Sequence, residues 1–329
     1  MKSNKGLFIG LFILLAGIFV FFGLRGESAG KPVQESSVKQ AGTPQQATTQ
    51  QATAQQAAEQ SGAIVRLSPP AKPASEAVSK SPVFESAALE NLRTQGDLNW
   101  VFGGKSQRGW RLYTPLVSRV LDVEGDARTA DFASAVSRWQ KEKGLNPHGV
   151  LDNTTWFRMI SDWQSDRIKD RTYPTEDQLV IIPVSECYDP SRAAELRKVE
   201  RETYLAYKRM IQAAAADPSL GLAVMADGEL ASGEKYLKII SAFRSREYQS
   251  HLRKQSPNSG RAGLAVNSPH FTGRALDIYV GGEPVSTKDD NRAIQTETRV
   301  YHWLVKNAAR FGFRPYFYEP WHWEYVGQK

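Results

Sequence analysis

Apolar and polar positions alternate so differently along this chain that four segments separate before any residue is singled out. Gly6 to Leu24, GLFIGLFILLAGIFVFFGL, is an apolar run of 19 residues without a charge. A helix rising 1.5 Å per residue over this length nearly matches the ~30 Å hydrocarbon core of a bilayer. Lys2 and Lys5 precede the run, and positive flanks tend to stay cytoplasmic. The pattern predicts a single-pass anchor over residues 1–24, with the rest of the chain on the periplasmic or cell-wall side of the membrane. A cleaved signal peptide would more often carry an apolar stretch of about 7–15 residues; Ser28-Ala29-Gly30 is where such cleavage would fall. No cysteine follows the run, which argues against a lipoprotein.

From residue 25 to 84 the periodicity disappears. The stretch QQATTQQATAQQAAEQ is followed by Pro69, Pro70, Pro73 and Pro82, and no aromatic residue stands between Phe22 and Phe84. Such a segment buries too little apolar area to offset its ordering entropy, and it reads as a tether. About 60 flexible residues give a root-mean-square reach of roughly 40–45 Å.

Helical spacing returns over residues 85–172, predicting a small all-α module. Phe132, Val136 and Trp139 fall on one helix face. Gly144 follows as a C-cap signal, Asn146-Pro147-His148-Gly149 is a turn, and Asp152 or Asn153 caps a helix carrying Trp156 and Met159. Residues 173–329 then mix both periods. ECYDPSRAAELRKVERETYLAYKRMIQAAAA predicts a long amphipathic helix from near Pro190, with Leu196, Val199, Tyr204 and Met210 along one side. RAIQTETRVYHWLVKNAARFGF predicts another helix, while YLKIISAF, ALDIYV and WHWEYV are strand-like. Helices first and strands later predict an α+β domain with an antiparallel sheet.

Composition narrows the classes. A chain of 329 residues, 41% hydrophobic and 10% aromatic with eight Trp, accommodates about two folded domains and is not disordered throughout. The single Cys187 excludes an intrachain disulfide and any multi-cysteine metal site, and its context marks it as a small packed residue. Of the net charge of +7, residues 1–84 hold eight basic and four acidic side chains. The remaining 34 basic and 31 acidic residues leave the folded part only slightly positive. No basic stripe marks a nucleic-acid surface. Oligomeric state is not legible.

Two segments resist explanation as packing. In SPHFTGRALDIYV, Gly273 permits a sharp turn after His270, and Ala275, Asp277 and Tyr279 share one strand face against an apolar opposite face. In YFYEPWHWEYV, His322, Glu324 and Val326 share a face, and Glu319 lies three residues before His322. If the two strands are neighbours, His270, Asp277 and His322 converge. Two ring nitrogens and a carboxylate oxygen suit Zn²⁺ with one position open, and Glu319 is then placed to take a proton from water. Glu324 is either a support for a ligand imidazole or an ordinary solvated strand residue, and the second reading is the simpler. His251 reads as a surface residue and His302 as structural.

These motifs carry two resemblances. Trp139-Gln140, Gly144-Leu145, Gly149-Val150 and Thr155 resemble the peptidoglycan-binding-like domain family over residues 115–160, with His148 where aspartate is usual and Asp152-Asn153 replacing a glycine-containing turn. Ser268-x-His270-x-x-Gly273-x-Ala275-x-Asp277 followed by Glu319-x-x-His322, after Arg244 in Ser-Ala-Phe-Arg-Ser, resembles the zinc D-alanyl-D-alanine peptidases of the VanY/VanX type, the M15 metallopeptidases. That resemblance implies zinc on His270, Asp277 and His322, Glu319 as general base and acid, and Arg244 stabilising the anionic intermediate or gripping substrate. It implies Ser268 and Gln249 near the substrate, and peptidoglycan stem peptides losing their terminal D-Ala as the reaction. Endopeptidase cleavage within a stem or crosslink, and a non-catalytic wall-binding protein, are the alternatives. Ala242-Phe243 departs from the family's usual Gly-Tyr.

Overall fold

A computed structural model describes residues 82–124, 126–256 and 264–328. The anchor expected over 1–24, and all but the last few residues of the expected tether, lie outside the described residues. Among the described residues, no helix is long and apolar enough to cross a membrane.

The helical module begins with α1 (Pro82–Asp97) and then departs from the all-α expectation. Strands β1 (Asn99–Phe102) and β2 (Lys105–Arg108) form a hairpin with Trp100 opposite Gln107. Its two-residue loop, Gly103-Gly104, has positive φ at both positions (58° and 81°). That is the primed turn whose twist matches paired strands, and glycine enters it without a Cβ penalty. The Gly-Gly pair was the missed signal. Helices α2 (Thr114–Leu121), α3 (Ala130–Glu142) and α4 (Asn153–Ser165) follow. Thr129 caps α3 by accepting from the Phe132 amide, and Asp152 caps α4 by accepting from the Thr155 amide. Phe132, Val136, Trp139, Trp156 and Met159 are buried together, as their spacing predicted.

The C-terminal part opens with β3 (Leu179–Ile181), paired antiparallel to β4 (Lys198–Glu200). This pairing overrides the long helix expected from Pro190. Val199 is buried as a strand residue, and α5 (Arg201–Ala215) starts only where the Glu200 carboxylate accepts from the amides of Glu202 and Thr203. Strand β5 (Ile239–Ser241) and α6 (Arg246–Gln255) precede β6 (Ala275–Ile278). The second expected helix is two, α7 (Asp289–Thr296) and α8 (Arg299–Asn307). Thr298 divides them, its hydroxyl capping α8 at the Tyr301 amide. Strands β7 (Phe313–Pro315) and β8 (His322–Tyr325) complete a four-stranded antiparallel sheet ordered β5-β6-β8-β7. The α+β expectation holds for this part.

Two packing features position the site. The central pair β6–β8 sets Asp277 opposite His322 and Ala275 opposite Glu324. One face of β6, carrying Leu276 and Ile278, joins the core under α5 and α8 with Val199, Met210 and Leu304. The other face is left to polar chemistry. Tyr316, Phe317 and Tyr318, between β7 and β8, are buried in the aromatic core of the helical module among Trp100, Tyr113, Trp156 and Trp163. Phe317 lies edge-on to Phe102 at 4.7 Å and stacks on Trp163 at 5.9 Å.

The turn entering β6 depends on Gly273. Its φ is 66°, and an added Cβ would lie 2.9 Å from the Glu200 amide nitrogen and 3.1 Å from the Glu200 Cβ. Left-handed backbone costs an L-residue roughly 1–2 kcal/mol before any clash. Gly273→Ala should therefore lower stability by at least about 1–2 kcal/mol, read by denaturant unfolding. An unchanged midpoint would show that the close approach to β4 does not exist.

Candidate metal centre and catalytic cleft

His270 is presented by a short 3₁₀ turn, Pro269–Thr272, capped by Ser268, whose hydroxyl accepts from the His270 amide at 3.3 Å. The His270 ring donates from Nδ1 to the Ala242 carbonyl at 2.6 Å. That contact fixes the tautomer and turns Nε2 toward Asp277 Oδ1, 3.3 Å away. On β8, His322 places Nδ1 3.0 Å from the same Oδ1 and Nε2 3.1 Å from Glu324 Oε1. One ligand atom from each of His270, Asp277 and His322 lies within 4.8 Å of the others, and all three residues are buried. Strand register thus unites side chains separated by up to 52 positions.

The surrounding charges set the protonation of the three side chains. Burial and the nearby Arg244 charge push the His270 imidazole down to about 4, so it is neutral, as a ligand must be. Burial acts to raise the Asp277 carboxyl, but the adjacent Arg244 charge and the hydrogen bond from His322 hold it well below the usual carboxylate range. Burial likewise opposes charge on His322, yet the hydrogen bonds to Asp277 and Glu324 win and raise it to about 9. Without a metal His322 therefore holds a second ring proton, shared with Asp277, which a bound divalent ion would displace. With that proton gone the residues fit such an ion: two imidazoles oriented by partners on their outer nitrogens, and a carboxylate kept ionised.

Glu319 follows the aromatic segment 316–318 and lines the same cavity, a space of about 530 Å³ that also reaches His270, Asp277 and His322. Burial raises its carboxyl to about 8. Since the ordinary value is 4.5, the native state holds an extra proton between about pH 4.5 and 8, and stability is lost as pH rises through that window. Metal-depleted wild type should lose stability relative to Glu319→Gln between about pH 5 and 8.5. Parallel pH profiles of the two unfolding midpoints would contradict the buried carboxyl.

Arg244 is tied on three sides. Its Nε donates to Ser241 Oγ at 2.9 Å, Nη1 reaches Gln249 Oε1 at 3.5 Å, and Nη2 donates to Asp277 Oδ2. It lines the cavity while orienting the carboxylate of Asp277. Ser268 also lines the cavity. Gln249 does not; it is buried behind Arg244 and donates to the Ala265 carbonyl at 3.0 Å. Its expected influence on substrate would run through Arg244. His251 is exposed, as expected, and His302 is exposed too, with no packing role. Cys187 is buried in the core.

Residues 196–328 match the family model of VanY, D-alanyl-D-alanine carboxypeptidase. No curated protein matches the chain. The VanY match takes in the three converging donors, Glu319 and Arg244, and such a family supports a peptidase, typically metal-dependent. It does not extend to the helical module.

Glu324 corrects the sequence reading. It is fully buried rather than a solvated strand residue. Oε1 accepts from Arg167 Nε at 2.9 Å and from Arg167 Nη2, and Oε2 accepts from the Ile168 amide at 2.9 Å. Burial works to raise this carboxyl, but the His322 hydrogen bond and the Arg167 charge outweigh it and hold it at about 2. Arg167, Arg171 and Phe102, all before the VanY region, line the cavity with His270, Asp277 and His322, while Glu324 lies buried behind it. Sequence reasoning missed them, because no local pattern links Arg167 to a strand 157 positions away.

Proposed function

We propose that this protein is a zinc-dependent D-alanyl-D-alanine carboxypeptidase that trims the terminal D-Ala from peptidoglycan stem peptides. The observation that carries the reading is the buried His270–Asp277–His322 cluster with Glu319 in the same cavity. His270 Nε2, Asp277 and His322 Nδ1 would hold the ion; bound zinc supplies Lewis acidity and lowers the pKa of water. Glu319 takes the proton of the attacking water and returns it to the leaving amine. Burial that raises its affinity for a proton suits the step in which the proton is held for the leaving amine. Arg244 keeps Asp277 oriented and places positive charge where an oxyanion would develop.

The lining favours a chain end over an internal bond. Four arginines face the cavity; Arg167 and Arg244 are paired with Glu324 and Asp277, which leaves Arg171 and Arg192 against the single carboxyl of Glu319. This excess positive charge suits a substrate bearing a free carboxylate, as the C-terminus of a stem peptide does. The apolar run at residues 6–24 and the low-complexity stretch after it support a membrane-anchored enzyme working outside the cytoplasm, with the helical module next to the wall.

Digestion of purified wall material and defined muropeptides with and without zinc tests the reading. Zinc-dependent release of free D-alanine is expected. Severed crosslinks without free D-alanine would replace it with an endopeptidase, and no product from any muropeptide would leave a wall-binding protein.

A further inference from the structure

The helical module does more than stand beside the catalytic part. Its last segment, just after α4, reaches into the metal centre through Arg167. That guanidinium grips Glu324 with two donors, donates from Nη1 to Gln164 Oε1 at 3.0 Å, and stacks over the Tyr316 ring with its centre 3.9 Å from the centroid. The Ile168 amide takes the other Glu324 oxygen. Glu324 in turn faces His322 Nε2 at 3.1 Å. The resulting chain runs from module to carboxylate to imidazole to the cluster of metal donors. A second tie holds the neighbouring segment: buried Arg292 of α7 donates from Nη1 to the Tyr113 hydroxyl at 2.9 Å and to the Tyr318 carbonyl at 3.2 Å.

We infer that Arg167 is a positioning residue for the metal ligand His322, so that the helical module is a built-in part of the metal centre. Glu324 needs Arg167 for two reasons. Its two oxygens are buried, and Arg167 with the Ile168 amide supplies the donors that keep them satisfied. A planar guanidinium also fixes the carboxylate plane, which a rotating ammonium cannot do. An ionised, oriented Glu324 accepts the Nε2 proton of His322 and leaves Nδ1 aimed at Asp277. Outer partners of this kind govern metal affinity by about 10–100-fold. None of Gln164, Arg167 and Ile168 falls within residues 196–328 matched by the VanY model, so this support comes from outside that region. The inference rests on the zinc reading of the site.

Zinc affinity of the full-length protein, measured by competition with a chromophoric chelator, tests it, alongside thermal unfolding of each metal-free variant. Arg167→Ala should weaken zinc binding about 10–100-fold, Glu324→Gln should weaken it comparably, and Arg167→Lys should recover part of the loss. Because the two act in series, the double variant Arg167→Ala/Glu324→Gln should bind no more weakly than the weaker single variant. Wild-type affinity in Arg167→Ala, or losses that multiply in the double variant, would overturn the inference. Should Arg167→Ala fail to fold, Arg167→Lys must still bind zinc more weakly than wild type, and equal affinity overturns the inference. Wild type that takes up no zinc would sink the zinc reading and this inference together, whereas tight wild-type binding with an indifferent Arg167 sinks this inference alone.

Discussion

Under the proposed zinc carboxypeptidase function, Glu319→Gln should bind zinc as wild type does and lose turnover by about 10²–10⁴-fold, the range that a positioned general acid–base supplies. The amide preserves size and sits in the same buried pocket, but it neither accepts a proton from water nor returns one to the amine. Glu319 is outside the set of converging donors, so metal content should remain at the wild-type level. Steady-state release of D-alanine and metal analysis on the same preparation read the two effects separately. Turnover within tenfold of wild type would remove Glu319 from the reaction. Loss of metal along with activity would make it a ligand instead.

His322→Ala has the other large effect. It deletes one of three donors and also strips Glu324 of the hydrogen bond at 3.1 Å that complements its contacts with Arg167. Zinc affinity should fall by more than the about 10–100-fold associated with outer partners, and D-alanine release should vanish at any practical zinc concentration. His302→Ala and His251→Ala, at exposed positions, should match wild type in both assays. Retained zinc in His322→Ala would show that the ring is not a ligand.

The convergence of His270, Asp277 and His322 was legible in the sequence for a physical reason. Strand alternation put Asp277 on a face opposite Leu276 and Ile278, and His322 on the face of Glu324. The β6–β8 register then set Asp277 against His322. Local signals also gave the α3 seam and the Asp152 cap. Failures arose where distant pairing decided the outcome. Residues 198–200 have helical spacing but become a strand because residues 179–181 pair with them. Glu324 looked solvated because its partner, Arg167, belongs to a module whose pattern speaks only of its own core. The hairpin at Gly103-Gly104 was local and readable, but the surrounding helical pattern hid it.

Anomalous X-ray scattering at the zinc edge, from crystals of the protein grown with zinc, tests the central claim most directly. One strong peak within ligand distance of His270 Nε2, Asp277 Oδ1 and His322 Nδ1 is the expected result. Crystals saturated with zinc that show no peak among these three atoms would contradict it.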